Sequence, residues 1–195
     1  MLKSATHPPR RRVLRALALA PLALASAGSR RPAAQGLHSA PACEPAPRQT
    51  EGPFFKPRSP QRASLLEPGL QGTRLVLTGI VMSTACRPAA GALLDFWQAD
   101  AGGHYDNAGF RLRGHQYTDN AGRYRLETIV PGLYPGRTRH IHVKVQAPGQ
   151  PVFTTQLYFP HEAHNAADPL FDQALLIRQR EEPWGRMGMF DFVFS

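Results

Sequence analysis

Two histidines one residue apart, in the run His140-Ile141-His142-Val143-Lys144-Val145, are the first residues whose type and spacing suggest chemistry. On a β-strand, side chains two positions apart leave the same face, so both imidazoles could reach one metal ion. The same spacing also suits two polar residues on the solvent side of a strand. Two phenols keep them company. Tyr134 stands in Val130-Pro131-Gly132-Leu133-Tyr134-Pro135-Gly136, where Pro and Gly restrict the backbone on both sides, and Tyr105 ends the stretch from Trp97 to Tyr105. Taken singly, each tyrosine reads equally as a rim aromatic with a wet hydroxyl.

The elements that would carry these residues are strands. Residues 74–81 (RLVLTGIV) and 92–98 (ALLDFWQ) are β-rich apolar runs separated by a polar loop at 83–90. Asp119-Asn120-Ala121-Gly122 is a turn signal, and residues 123–129 alternate after it until Pro131-Gly132. Residues 140–147 alternate again, Pro148-Gly149 turns the chain, and residues 152–159 and 189–194 read as further strands. Only residues 169–179 (PLFDQALLIRQ) look helical. The expectation is an all-β fold, an antiparallel or mixed β-sandwich with long loops and one short C-terminal helix.

The 195 residues, with 17 Gly and 19 Pro, suit one domain rich in turns. The net charge of +9 overstates the domain, because Lys3, Arg10, Arg11, Arg12 and Arg15 precede residue 27 with no acid among them. The other arginines are mixed with acids and form no basic helix, so no nucleic-acid partner is expected. The order of residues 1–27, arginines followed by an Ala/Leu run from Ala16 to Ala25 and then small residues, is that of a signal peptide. That run is too short for a stable membrane span. The Arg pair resembles a twin-arginine signal, the alternative being an ordinary basic leader. Export to the periplasm or the cell exterior is expected, with residues 28–48 as a flexible tether and 49–195 as the domain. Cys43 and Cys86 are expected to pair in that oxidising compartment, the alternative being two free thiols.

In this context the sequence resembles the intradiol ring-cleavage dioxygenases, the family of protocatechuate 3,4-dioxygenase and catechol 1,2-dioxygenase. The stretches that carry the resemblance, in order, are residues 50–55 (TEGPFF), 97–107, 118–134, His140-Ile141-His142 and 155–159 (TQLYF). The resemblance implies a β-sandwich and a non-haem Fe(III) site with Tyr105, Tyr134, His140 and His142 as ligands. That set is chemically coherent: phenolates are hard anionic donors that favour Fe(III), and the ion in turn ionises phenols whose free pKa is about 10. A ferrous oxygenase favours two His and a carboxylate, and zinc recruits Cys, His and carboxylate.

The implied reaction takes a catecholic substrate and O2 to a cis,cis-muconate-type diacid, with Tyr134 released to accept a substrate proton. Arg137 occupies the place of the family's active-site arginine, and Gln156 that of its site-proximal glutamine. Their plainer readings are a loop arginine facing water and a strand residue with a core hydrogen bond. Trp97 and Tyr117 read as core or rim aromatics. The chain departs from the family in the short linker from Tyr134 to His140, in Arg139 before the first histidine, and in an abbreviated segment from Tyr105 to Tyr117. It leaves room for a homo-oligomer. A superoxide dismutase-like sandwich would need more histidines in suitable places. A catalytically inactive transthyretin-like module binding aromatic or cell-wall ligands would keep the fold without the chemistry.

Overall fold

The computed structural model describes residues 43–195; the expected signal and most of the expected tether lie outside the described residues. Nine strands are formed among them: β1 (Arg74–Ser83), β2 (Leu93–Trp97), β3 (Arg113–Tyr117), β4 (Arg123–Ile129), β5 (His140–Gln146), β6 (Phe153–Tyr158), β7 (Arg178–Glu182), β8 (Gly185–Met189) and β9 (Phe192–Phe194). One sheet runs β4-β1-β8-β7, with β9 continuing beside β1, and the other runs β3-β2-β5-β6. The second sheet is antiparallel throughout, whereas β8 and β9 lie parallel to β1. Among the described residues no helix is long and apolar enough to cross a membrane.

The period of two in the sequence sets the layers. Leu75, Leu77 and Val81 of β1 and Tyr124 and Leu126 of β4 face Leu94 and Phe96 of β2, Ile141, Val143 and Val145 of β5, and Leu157 of β6 in one continuous core. Because these residues face inward, their neighbours must face outward. Across the outer side of the second sheet the register aligns Arg113, Trp97, His142 and Gln156 in a single cross-strand row, with His115, Asp95, Lys144 and Thr154 in the next. This outer face is not left to water. Residues 49–62 form an arm that crosses it: Gln49 N donates to Thr154 O, Ser59 Oγ donates to Asp95 Oδ1 at 2.7 Å, and Lys144 pairs with Glu51.

The disulfide between Cys43 and Cys86, with Cα atoms 5.3 Å apart, anchors the start of that arm. Beyond it, Ala46 N donates to Val193 O, so the described end of the expected tether is hydrogen-bonded to the domain. Closing a chain separation of 43 residues removes unfolded-state entropy worth about 4 kcal/mol. The Cys43→Ser variant is therefore expected to melt roughly 10 °C below the wild type. Calorimetry of both proteins measures this, and equal melting temperatures would refute it.

Three elements differ from the sequence reading. The expected helix over 169–179 is a single 3-10 turn, Gln173–Leu175, capped by the Asp172 side chain on Ala174 N. Leu175, at the end of the turn, and Ile177 are both buried; from Leu176 the chain is extended and Ile177 N donates to Tyr158 O, so pairing beside Tyr158 overrides local helix propensity. The last strand is broken at Phe190-Asp191, where the Phe190 carbonyl passes so close to Gly79 that a Cβ there would sit 1.7 Å from it. Strands β3 and β7 carried no apolar alternation to announce them: β3 (RGHQY) presents a polar face to the arm, and β7 is a charged edge strand tied to β8 by the Arg186–Glu181 ion pair.

Candidate metal centre

The two histidines sit on the outer face of β5 and are nevertheless almost sealed, His140 at 4% and His142 at 3% exposure. The solvent-facing alternative for the pair therefore does not hold. His140 Nδ1 donates to Thr138 O at 2.7 Å, which leaves the lone pair on Nε2. That Nε2 lies 3.2 Å from the Tyr105 hydroxyl. The His140 and His142 ring centres are 4.8 Å apart, those of Tyr105 and His142 6.2 Å, and those of Tyr105 and Tyr134 5.9 Å. Four donors separated by up to 37 positions in the chain thus meet at one place, on one strand and two loops.

Glycine makes the meeting of the two loops possible. A Cβ on Gly103 would stand 2.0 Å from Leu133 O, and one on Gly132 would stand 2.4 Å from Gly103 N. The Tyr105 loop and the Tyr134 loop touch backbone to backbone at these positions, and Gly132 N donates to Asp100 O at 2.7 Å. The Tyr105 loop is further stiffened from within and from the arm. The Asp106 carboxylate accepts from the N–H groups of Ala108, Gly109 and Arg111, while Lys56 Nζ donates to the carbonyls of Ala108 at 2.9 Å and Gly109 at 2.6 Å. Arg139 does not enter the cluster: it donates to Pro131 O and pairs with Glu162.

Aromatic walls close the donors off. Phe54 stacks on Tyr105 with ring centres 4.3 Å apart and meets Tyr134 edge-on at 5.3 Å. Trp97 lies parallel to the His142 imidazole at 4.9 Å, so it orients a candidate ligand, a role the sequence did not disclose. Tyr117 is a rim aromatic, 52% exposed. Trp97 Nε1, Arg113 Nη2 and His142 Nδ1 are buried with no partner among the described residues. Unpartnered buried donors are costly, and their gathering in one row marks a place built for something other than stability.

Arg137 is neither a free loop arginine nor a pure surface charge. Its Nε donates to both oxygens of Asp168, at 3.0 and 2.9 Å, and its Nη2 donates to Gln156 Oε1 at 2.7 Å. Gln156 in turn donates from Nε2 to Thr50 O at 3.1 Å, tying the arm to the site. Burial pushes the Asp168 carboxyl up, but the N–H groups of Leu170 and Thr138 and the Arg137 guanidinium outweigh it and hold the group ionised. Asp168 gave no signal in the sequence, being a lone acid in a loop. Beside Arg137 and Tyr134 a cavity of about 290 Å³ opens, bounded also by Leu133, Gly136, His164 and Asp168. Its size suits a single-ring ligand.

Electrostatics decide what the donors could hold. Burial pushes the Tyr105 phenol far above its ordinary range, against the opposing pull of Arg137 and Arg113, so the group is neutral unless a cation lies beside it. Burial lowers His140 from 6.5 to about 4, only partly resisted by the Thr138 carbonyl, and drives His142 down in the same sense. Two neutral imidazoles and two ionisable phenols fit a hard cation of high charge. Among the described residues no cluster of three or more His, Cys, Asp or Glu offers an alternative.

These depressed histidines make a prediction for the metal-free protein. The folded state binds fewer protons than the unfolded chain between pH 6.5 and about 4. The stability owed to neutral His140 is complete above the unfolded pKa and is lost as pH falls through the folded one. Melting temperatures of metal-free protein should accordingly fall steadily across that window. A flat profile would contradict the neutral imidazoles.

The family model described as Dioxygenase matches residues 50–182. The protocatechuate 3,4-dioxygenase beta chain of Burkholderia cepacia is 35% identical over 119 residues, covering 51% of this chain and 50% of that one. Catechol 1,2-dioxygenase of Candida albicans is 30% identical over 135 residues, 55% of this chain and 45% of the relative. The chain spans about half the length of the curated relatives it matches. Among solved structures, the dioxygenase domain of a dioxygenase carbohydrate-binding protein fusion from Streptomyces sp. SirexAA-E is 59% identical. It superposes with a TM-score of 0.76 over 78% of this chain and 99% of that one.

Proposed function

The chain belongs to the intradiol ring-cleavage dioxygenase family, and from that footing we propose that it is an exported Fe(III) enzyme that opens a catecholic ring between its two hydroxyl-bearing carbons. Both atoms of O2 enter the product, so catechol and O2 balance as one cis,cis-muconate-type diacid. The observation that carries the reading is the gathering of Tyr105 and Tyr134 beside the buried His140 and His142, with the Tyr105 hydroxyl 3.2 Å from His140 Nε2.

Bound there, ferric iron would supply the Lewis acidity and the electronic coupling that let a catecholate react with O2. The remaining work falls to the chain. Thr138 O fixes the His140 tautomer and Trp97 fixes the plane of His142. Tyr134 borders the cavity, so its Oη, as the phenolate, would be placed to accept a proton from an entering substrate hydroxyl and become the neutral phenol. Arg137, held by Asp168 and Gln156, presents a fixed positive charge at the same cavity to stabilise negative charge that grows on the ring or on oxygen. Phe54 and the arm keep bulk water from the donors.

Purified protein should carry about one iron per chain and a burgundy tyrosinate charge-transfer band, which changes on anaerobic addition of catechol. It should consume O2 with at least one of catechol, protocatechuate or hydroxyquinol. Colourless, iron-free protein that stays so after ferric loading would point instead to a binding module on the same fold.

A further inference from the structure

Arg113, at the head of β3, is 1% exposed, yet it forms no ion pair among the described residues. Its Nε donates to Asp106 O at 3.0 Å and its Nη1 to Phe54 O at 2.5 Å, while Nη2 is buried without a partner. Both carbonyls belong to the surroundings of one ligand. Asp106 follows Tyr105 directly, and Phe54 is the ring stacked on Tyr105. The cross-strand neighbour of Arg113 is Trp97, which in turn stacks on His142. A guanidinium taken out of water without a carboxylate is expensive to keep, and a planar fork is suited to joining two fixed acceptors.

We infer that Arg113 is a positioning residue for the metal site: its buried fork locks Phe54 and the Tyr105 loop into one unit. The carboxylates whose charge acts on it are those of Asp106 and Asp95. The Asp106 carboxylate is engaged by three backbone N–H groups, and that of Asp95 by Ser59. Neither carboxylate ion-pairs with the guanidinium, so its fixed contacts are the two carbonyls of Asp106 and Phe54. The inference rests on the ferric reading of the site.

The test compares Arg113→Lys, which keeps the charge but gives up the fork, with Arg113→Met, which removes both. Each is measured for ferric iron affinity by chelator competition, for the position of the tyrosinate band, and for melting of the metal-free protein. Both variants should bind iron roughly 10- to 100-fold more weakly, the methionine variant more so. The band of Arg113→Met should move to longer wavelength, because removing a nearby cation raises the energy of the phenolate's donor electrons. Metal-free Arg113→Lys should melt within a few degrees of wild type. Iron affinity and band position unchanged in both variants would overturn the inference, as would iron loss that merely tracks the unfolded fraction. If Arg113→Met does not fold, Arg113→Lys decides on its affinity and band alone. A wild-type chain that takes up no ferric iron would overturn both this inference and the ferric reading, whereas wild-type iron uptake with unaltered variants overturns this inference only.

Discussion

His142→Ala is expected to lose ferric iron and to cut oxygen uptake by more than about 100-fold, the upper end of the cost of losing even an outer-shell partner of a metal. The reason is geometric. His142 is 3% exposed and held parallel to Trp97, so no other side chain can swing in to replace its nitrogen, and the space left behind lies between an indole and the Gly52 backbone. The matched control is His161→Ala. His161 lies in an exposed loop at a positive φ of 63°, so its loss costs at most local backbone strain and leaves both iron and turnover intact. Iron stoichiometry, the visible band and oxygen uptake are read on both variants, with circular dichroism to confirm the fold. Colour and oxygen uptake persisting in His142→Ala would sink the ligand assignment.

Arg137→Lys is expected to keep iron and colour while lowering kcat/KM roughly 100-fold. Lysine is the informative replacement because it leaves the buried Asp168 carboxylate a cation to pair with; removing the charge outright would strand that carboxylate and confound catalysis with stability. What lysine cannot reproduce is the fork that engages Asp168 through Nε and Gln156 through Nη2 at once. Asp168→Asn, which loosens the fork while leaving the Arg137 cation in place, should cost about tenfold. Both rates come from oxygen uptake at saturating and limiting catechol. If Arg137→Lys loses iron in step with turnover, the residue supports the fold of the site and not its chemistry.

The strands that carry the site were largely legible in the sequence, since β1, β2, β4, β5 and β6 each show apolar residues at alternate positions beside a turn signal. Where that signal is missing the reading failed for a physical reason. Strand β3 is built from Arg113, Gly114, His115, Gln116 and Tyr117, whose burial comes from the arm laid over it and not from the sandwich core. Residues 169–179 have helix-like spacing, yet they form one 3-10 turn and then run extended from Leu176, with Leu175 and Ile177 buried in the core. Trp97 presented itself as a core or rim aromatic because a single strand position cannot reveal that its neighbour across the ladder is His142.

By itself the sequence pointed to the all-β class and to the pairing of Cys43 with Cys86, both of which the structure bears out, and through the family resemblance to four candidate donors whose types suit a hard metal ion. These follow from local chemistry: the period of a strand, the presence of two cysteines in the chain, and the donor atoms of His and Tyr. Only the tertiary structure decided that the donors meet on the outer face of the second sheet, that Gly103 and Gly132 let two loops touch, and that Asp168, Trp97 and Arg113 serve them. Those decisions belong to register and to the disulfide-anchored arm, which place residues far apart in the chain side by side, and no local pattern encodes such a neighbour.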